Sequence, residues 1–487
     1  MCNYFDICNT LKDPSVTIRP KVETKHSQLW KRNTAKSGNA TQPALETEKI
    51  IVPLYAEIKQ ITNMAYKKRI ADQLLQRKLR GKGAVLIRGA KWCGKTTTAE
   101  QIAQSVIYMD DPKRRATYLQ MAEMSIDQLL VGRTPRLIDE WQLAPRLWDA
   151  IRYEVDHRPD LGQFILTGSA VPADMSQVEH SGTGRFAWLT MRPMSLWESG
   201  DSTGMVSLKE LFEGNESVAG EVSHELDDIA YLICRGGWPR AIDMETAIAL
   251  DQAKDYIDGV VHSDISRVDG VQRSAETTRK LLHSYARHQG TQATIGTITA
   301  DMTTGGGFDI SEKTVSSYIN ALQDIFVIED SEAWNPNLRS KTAIRTSDTR
   351  YFVDPSIATA SLGIGPKDLI NDLSTMGLMF ETLCIRDLRV YAEMLDGDVF
   401  HYRDKNDLEC DAVVHLHNGA YGLIEIKLGG ETLINEGAES LCKLAEKIDT
   451  TKMKAPAFKM VLTATGNYAY RMKEREVIVV PIGTLKP

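Results

Sequence analysis

The stretch Ala84-Val-Leu-Ile-Arg88-Gly89-Ala-Lys-Trp-Cys-Gly94-Lys95-Thr96-Thr97 decides the fold. Four apolar residues of strand length lead without a break into G-x-x-x-x-G-K-[ST], and helical spacing follows from 97 to 105. Gly89 and Gly94 let the main chain wrap tightly around a phosphate. The N–H groups of Ala90, Lys91, Trp92, Cys93 and Thr97 and the helix N-terminus would then face an anion. Lys95 is placed to reach β- and γ-phosphates, and the Thr96 hydroxyl to ligate Mg²⁺. Cys93 has a thiol inside the loop, but in such loops the backbone does the binding.

Working outward, short apolar runs at 84–88, 117–119, 136–139 and 163–167 alternate with helical stretches, the pattern of a parallel sheet covered by helices. Arg136-Leu-Ile-Asp139-Glu140 is a strand ending in two carboxylates. Asp139 would hold Mg²⁺ through water, and Glu140 would orient or polarise an attacking water. The next strand ends Phe164-Ile-Leu-Thr167-Gly-Ser169, where Thr167 or Ser169 could sense a γ-phosphate; an ordinary strand-to-loop turn reads the same way. Gly182-Thr-Gly184-Arg185 offers an arginine finger, in cis or from a neighbouring copy, although a lone loop arginine is commonly just solvated.

At 487 residues the chain has room for about three domains. With 58 Lys+Arg against 65 Asp+Glu and a net charge of −7, an overall cationic coat for nucleic acid is excluded, though a local basic groove is not. The seven cysteines, at 2, 8, 93, 234, 384, 410 and 442, form no C-x-x-C pair. That argues against a disulfide scaffold or a structural zinc and fits a reducing, cytoplasmic setting. The longest apolar runs are strand-sized, so no membrane span is expected.

Residues 1–57 read as a poorly ordered, Lys/Arg/Ser/Thr-rich arm, followed by helical spacing from 58 to 79 that Gly81 stops. The expected divisions are a P-loop domain over 58–215, a helical lid and winged-helix-like region over 216–349, and an α/β domain over 350–487. The polar stretch near 200–225 reads as a linker. The winged-helix expectation rests on the helix Glu312–Asp324 and the apolar run 325–328 after it. Lys/Arg and Asp/Glu balance over 273–345, so charge alone does not predict DNA binding there.

A second constellation lies in the last third. Glu381 falls on an expected helix over 377–393. Phe400-His-Tyr402 and Glu409-Cys-Asp411-Ala-Val-Val414 read as antiparallel strands, and Tyr421-Gly-Leu-Ile-Glu425-Ile-Lys427 as a third. Residues two apart on a strand share a face, so Glu425 and Lys427 project together, and Asp411 can join them from the next strand. Two carboxylates and an ammonium suit metal-assisted phosphodiester hydrolysis with Mg²⁺ or Mn²⁺. A solvated E-x-K face is the plainer alternative.

Taken together, GAKWCGKTTTAEQIA, RLIDEWQLAPRLWDAIR, FILTGSA, GTGRFAWLTMRPMSLWE, ICRGGWPRAI, YFVDPSIATASLG, MFETLCIRDL, HYRDKNDLECDAVV and LIEIKLG resemble the prokaryotic AAA-type ATPases that carry a C-terminal nuclease-like domain of the PD-(D/E)XK restriction-endonuclease class. The resemblance implies Gly89, Gly94, Lys95 and Thr96 on the nucleotide, Asp139 and Glu140 on Mg²⁺ and water, and Arg185 as a candidate finger. It implies Glu381, Asp411, Glu425 and Lys427 as a nuclease-type site. The implied cofactors are ATP and Mg²⁺, with a second Mg²⁺ or Mn²⁺ in the last domain. The implied partners are nucleic acid, a second copy of the chain or an unidentified protein. Lys91-Trp92-Cys93 departs from the Arg-Gln and small apolar residue more usual there, and Glu-Cys-Asp from the usual Glu-Val-Asp. A P-loop kinase competes, but an Asp-Glu strand end favours water as acceptor, and no acceptor-binding segment is recognisable. A non-catalytic partner-binding role for the last domain is the alternative to cleavage.

Overall fold

Five strands carry the P-loop: β1 (Ala84–Arg88), β2 (Ser105–Tyr108), β3 (Arg136–Asp139), β4 (Phe164–Gly168) and β5 (Phe186–Thr190). They pair in parallel in the order β2-β3-β4-β1-β5. Every residue of β3 and β4 is buried, as expected for central strands covered on both faces. The computed structural model describes residues 66–168, 181–215, 218–304, 309–335 and 347–487. The expected arm over 1–57, the start of the expected helix, Ser169, Cys2 and Cys8 lie outside the described residues. Lys67–Pro487 is one compact unit.

Two expectations in this sheet need correction. Residues 117–119 are not a strand but part of the helix Arg115–Met124. Asp111 accepts the N–H groups of Arg114 and Arg115 as this helix begins, and Tyr118, Leu119 and Ala122 meet the core at helical spacing. The strand expected there is supplied earlier by β2, which pairs with β3 from Ser105↔Arg136 to Tyr108↔Asp139. The helix after the P-loop is correspondingly short, Lys95–Glu100 rather than 97–105.

The middle of the chain is helical: Leu226–Arg235, Thr246–Gly259, Ala275–Arg287, Ile295–Thr303 and Glu312–Asp324. The last three are started by Ser274, Thr294 and Ser311, each accepting an N–H three residues on. After them come two isolated antiparallel bridges, Ile328↔Phe352 and Ser331↔Thr349.

A second sheet has the order β7-β12-β13-β11-β10-β9-β8. Its later strands are β8 (Gly397–Arg403), β9 (Glu409–Leu416), β10 (Tyr421–Lys427), β11 (Phe458–Thr463), β12 (Tyr468–Met472) and β13 (Val477–Pro481). The stretch near 200–225 is not a free linker. Its β6 (Val206–Ser207) pairs with β14 (Leu485–Lys486), and its β7 (Gly220–Glu221) extends the second sheet through Tyr468 and Ala469. Polar composition concealed this, because edge pairing uses backbone groups that any residue carries.

The helix Leu373–Met394 packs on β8, β9 and β10 of the second sheet and on the helix Ile70–Leu79, and is longer than the 377–393 expected because Asp372 accepts the Thr375 N–H at its start. It is buried on nearly every side, including at Arg386, Asp387 and Arg389. One apolar core joins Leu75, Ile165 and Leu189 around the first sheet to Leu383, Ile424 and Val480 around the second. No helix among the described residues is long and apolar enough to cross a membrane. Cys93, Cys234, Cys384, Cys410 and Cys442 are free thiols.

Candidate nucleotide site and a second polar cluster

The P-loop follows β1, at the carboxyl edge of the first sheet. Gly89 has φ +148°, and a Cβ there would stand 2.0 Å from the Met191 carbonyl oxygen, so no side chain fits. Lys95 is buried, its Nζ donating to the carbonyls of Gly89 (2.9 Å) and Ala90 (2.8 Å). The Thr96 hydroxyl donates to Asp139 Oδ1 at 2.7 Å, and the Thr167 hydroxyl donates to the same oxygen. Parallel register makes this convergence possible, since Asp139 pairs with Thr167 at the ends of β3 and β4. Burial pushes the Asp139 carboxyl above the usual carboxylate range, against the pull of both hydroxyls. Burial first, then the charge of Asp139, raises Glu140 as well. Glu140 has left-handed backbone, φ 54° and ψ 42°, at the turn out of β3.

Several groups clasp the loop from outside. Buried Arg69 donates to the Cys93 carbonyl (2.8 Å), the Arg192 carbonyl (2.9 Å) and Glu198 Oε1 (3.0 Å). Lys91 pairs with Asp264 at 2.6 Å, and the half-exposed Trp92 meets Tyr256 edge-on, with ring centres 6.0 Å apart. Tyr256 in turn packs on Trp238 at 4.4 Å. A Cβ at Gly94 would lie 3.5 Å from Pro239 Cγ, so the Gly236-Gly237-Trp238-Pro239 turn sits against the loop. Cys93 is fully buried, its thiol donating to the Met191 carbonyl at 3.3 Å.

Arg185 does not belong to this constellation in its own chain. Phe186 pairs with Ala84 at the start of β1, whereas the P-loop leaves the opposite end of that strand. Five residues of strand separate them by about 16 Å. Arg185 is exposed and pairs with Asp156 at 2.8 Å. The cis-finger expectation is therefore corrected; only a neighbouring copy could receive this side chain at its nucleotide.

The second constellation does come together. Lys427 Nζ lies 2.6 Å from Glu425 Oε2 and 3.2 Å from Asp411 Oδ2, and the Ile426 N–H donates to Asp411 at 2.7 Å. The Tyr351 hydroxyl donates to Glu381. Burial, then the charge of Asp411, pushes Glu425 up to about 8 and holds Glu381 well above the usual range. Burial would lower the Lys427 ammonium, but Asp411 and Glu425 override it and raise the group. Hard oxygen donors are present, yet Lys427 stands between the carboxylates. No group of three or more His, Cys, Asp or Glu among the described residues forms a metal cage. As placed, Asp411, Glu425 and Lys427 make an ion-pair cluster.

Residues 81–199 match the model of an AAA domain. This segment is similar to P-loop domains of the AAA type. Residues 226–368 and 376–485 match two domains of unknown function, DUF8612 and DUF4143. The chain is 23% identical over 374 residues to uncharacterized proteins of Mycobacterium bovis and Mycobacterium tuberculosis, covering 76% of this chain and 75% of each of theirs. A solved Walker-type ATPase of Pyrococcus abyssi is 14% identical, with 61% of this chain and 99% of that one covered and a TM-score of 0.39.

Sequence reasoning gave no role to Arg69, Gln142, Gly237, Asp354, Arg386 or Asp387. Gly237 N–H and Arg386 Nη1 both donate to Asp354 Oδ2 at 2.9 Å, Arg386 grips Asp387 Oδ1 at 2.8–2.9 Å, and Asp387 Oδ2 accepts the Leu196 N–H at 2.9 Å. The run Arg386-Asp387 inside an apolar helical pattern was the available signal, because charges at core positions are kept only with partners.

Proposed function

We propose that the chain binds MgATP at the P-loop and hydrolyses it. The observation that carries this reading is the meeting of the Thr96 hydroxyl with the Asp139 carboxylate at 2.7 Å, on the sheet edge where Lys95 and Glu140 also stand. Thr96 and Asp139 are hard oxygen donors suited to Mg²⁺, which would supply neutralising charge for the β- and γ-phosphate oxygens. Lys95 would exchange its carbonyl partners for phosphate, the loop N–H groups would hold the β-phosphate, and Glu140 would take a proton from the attacking water. ATP binding and phosphate release by the full chain test this. Lys95→Ala should abolish binding, and Glu140→Gln should bind without turnover. Unchanged turnover in both variants defeats the reading, and phosphate passed to a small-molecule acceptor would make the protein a kinase.

A homo-oligomer belongs to the same proposal, because it would let Arg185 serve the nucleotide of a neighbouring copy.

The convergence of Glu381, Asp411, Glu425 and Lys427 favours a second reading, phosphodiester hydrolysis by the last third of the chain. Cleavage of single- and double-stranded DNA and RNA, with Mg²⁺ or Mn²⁺ and with Lys427→Ala as control, tests it. No cleavage and no metal binding would leave the cluster as part of a partner-binding module.

A further inference from the structure

Gln142 lies two residues past Glu140, in the tight turn Trp141–Leu143 that follows β3. Its Nε2 donates to Glu140 Oε2. An ionised carboxylate only accepts, so the amide must turn its NH₂ toward Glu140 and its oxygen away. That oxygen, Oε1, is buried and has no hydrogen-bond partner among the described residues. It lies over the end of β4, where a Cβ on Gly168 would stand 2.6 Å from it. Gly168 directly follows Thr167, whose hydroxyl donates to Asp139. The orphan acceptor is therefore on the sheet edge that carries Asp139 and Glu140. Buried acceptors are rarely left without a donor, and a site that takes up a ligand and water can supply one.

We propose that Gln142 orients the attacking water jointly with Glu140, Nε2 holding the carboxylate in place and Oε1 accepting one hydrogen of the water. The proposal rests on the reading of the site as an ATPase. The water oxygen bonds to the γ-phosphorus, and the bond from phosphorus to the β–γ bridging oxygen breaks, its electron pair leaving on ADP. One water proton passes to Glu140 and is later released. The hydrogen held by Gln142 stays on the product phosphate. Glu140 alone fixes only one direction of the water; the amide supplies the second, so that a lone pair faces phosphorus.

The test compares steady-state hydrolysis, ATP affinity and melting temperature for the full-length wild type, Gln142→Ala, Glu140→Gln and the double variant, all with Mg²⁺. Gln142→Ala is expected to lower kcat roughly 10- to 100-fold, with ATP affinity and melting temperature unchanged. In the double variant the losses should fall well short of multiplying, because both groups act on one water. Unaltered kcat in Gln142→Ala, fully multiplicative losses, or a parallel loss of affinity and melting temperature would each overturn the role of Gln142. A wild type that binds MgATP without hydrolysing it would overturn the ATPase reading itself, and this role with it.

Discussion

Arg386 and Asp354 form a fully buried ion pair, 2.9 Å from Nη1 to Oδ2, and the same Asp354 oxygen holds the Gly237 N–H. The turn containing Gly237 rests on the P-loop through Pro239. Arg386 lies on the helix that also carries Glu381, about 7.5 Å farther along its axis. One buried salt bridge thus ties the wall of the nucleotide site to the helix that reaches the Asp411–Glu425–Lys427 cluster.

Asp354→Ala would leave the buried Arg386 with the Asp387 carboxylate still beside it, but would strip Arg386 Nη1 and the Gly237 N–H of their acceptor. It should therefore cost about 1–3 kcal/mol of stability. It should also weaken ATP binding by loosening the Gly237–Pro239 turn. Urea denaturation followed by ATP titration of the folded fraction measures both, and wild-type values in both would contradict this account.

Gly89→Ala should disrupt the P-loop, because its Cβ would overlap the Met191 carbonyl and φ +148° disfavours any side chain. The expected result is loss of ATP binding together with a lowered melting temperature. Retained affinity would mean that the strand end and the Met191 backbone can separate freely.

Glu425 gives a pH dependence of definite sign. Its carboxyl is raised from 4.5 to about 8 in the folded chain. Between these values the folded state binds the proton more tightly than the unfolded state, so the contribution is full below about 4.5 and is lost as pH rises toward 8. In chelator-treated buffer, stability should fall across this window, and Glu425→Gln should flatten that part of the profile. An unchanged slope in the variant would assign the dependence elsewhere.

Arg185→Ala should leave ATP affinity intact and lower turnover only under conditions where the chain self-associates. Its ion pair with Asp156 is exposed and screened by solvent, so little stability should go with it. Turnover measured against protein concentration, alongside light scattering, is the check. Equal turnover at every concentration would remove Arg185 from the reaction.

By itself the sequence determined what local rules encode. β1 followed by Gly89–Thr96, the Asp139-Glu140 strand end and the face shared by Glu425 and Lys427 are all legible, because phosphate loops and strand alternation bind neighbours in sequence to fixed geometry. Glu312–Asp324 could be read to the residue from its apolar spacing, with Ser311 as the cap that starts it. Only the tertiary structure decided that 117–119 is helical, that Gly220–Glu221 joins the second sheet, and that Arg185 stands at the wrong end of β5 for its own nucleotide. It alone brought Asp354 to Arg386 and Gln142 over Gly168. These depend on which strand lies beside which and on buried polar groups finding partners far away in the chain, and no periodicity within a short window carries that information.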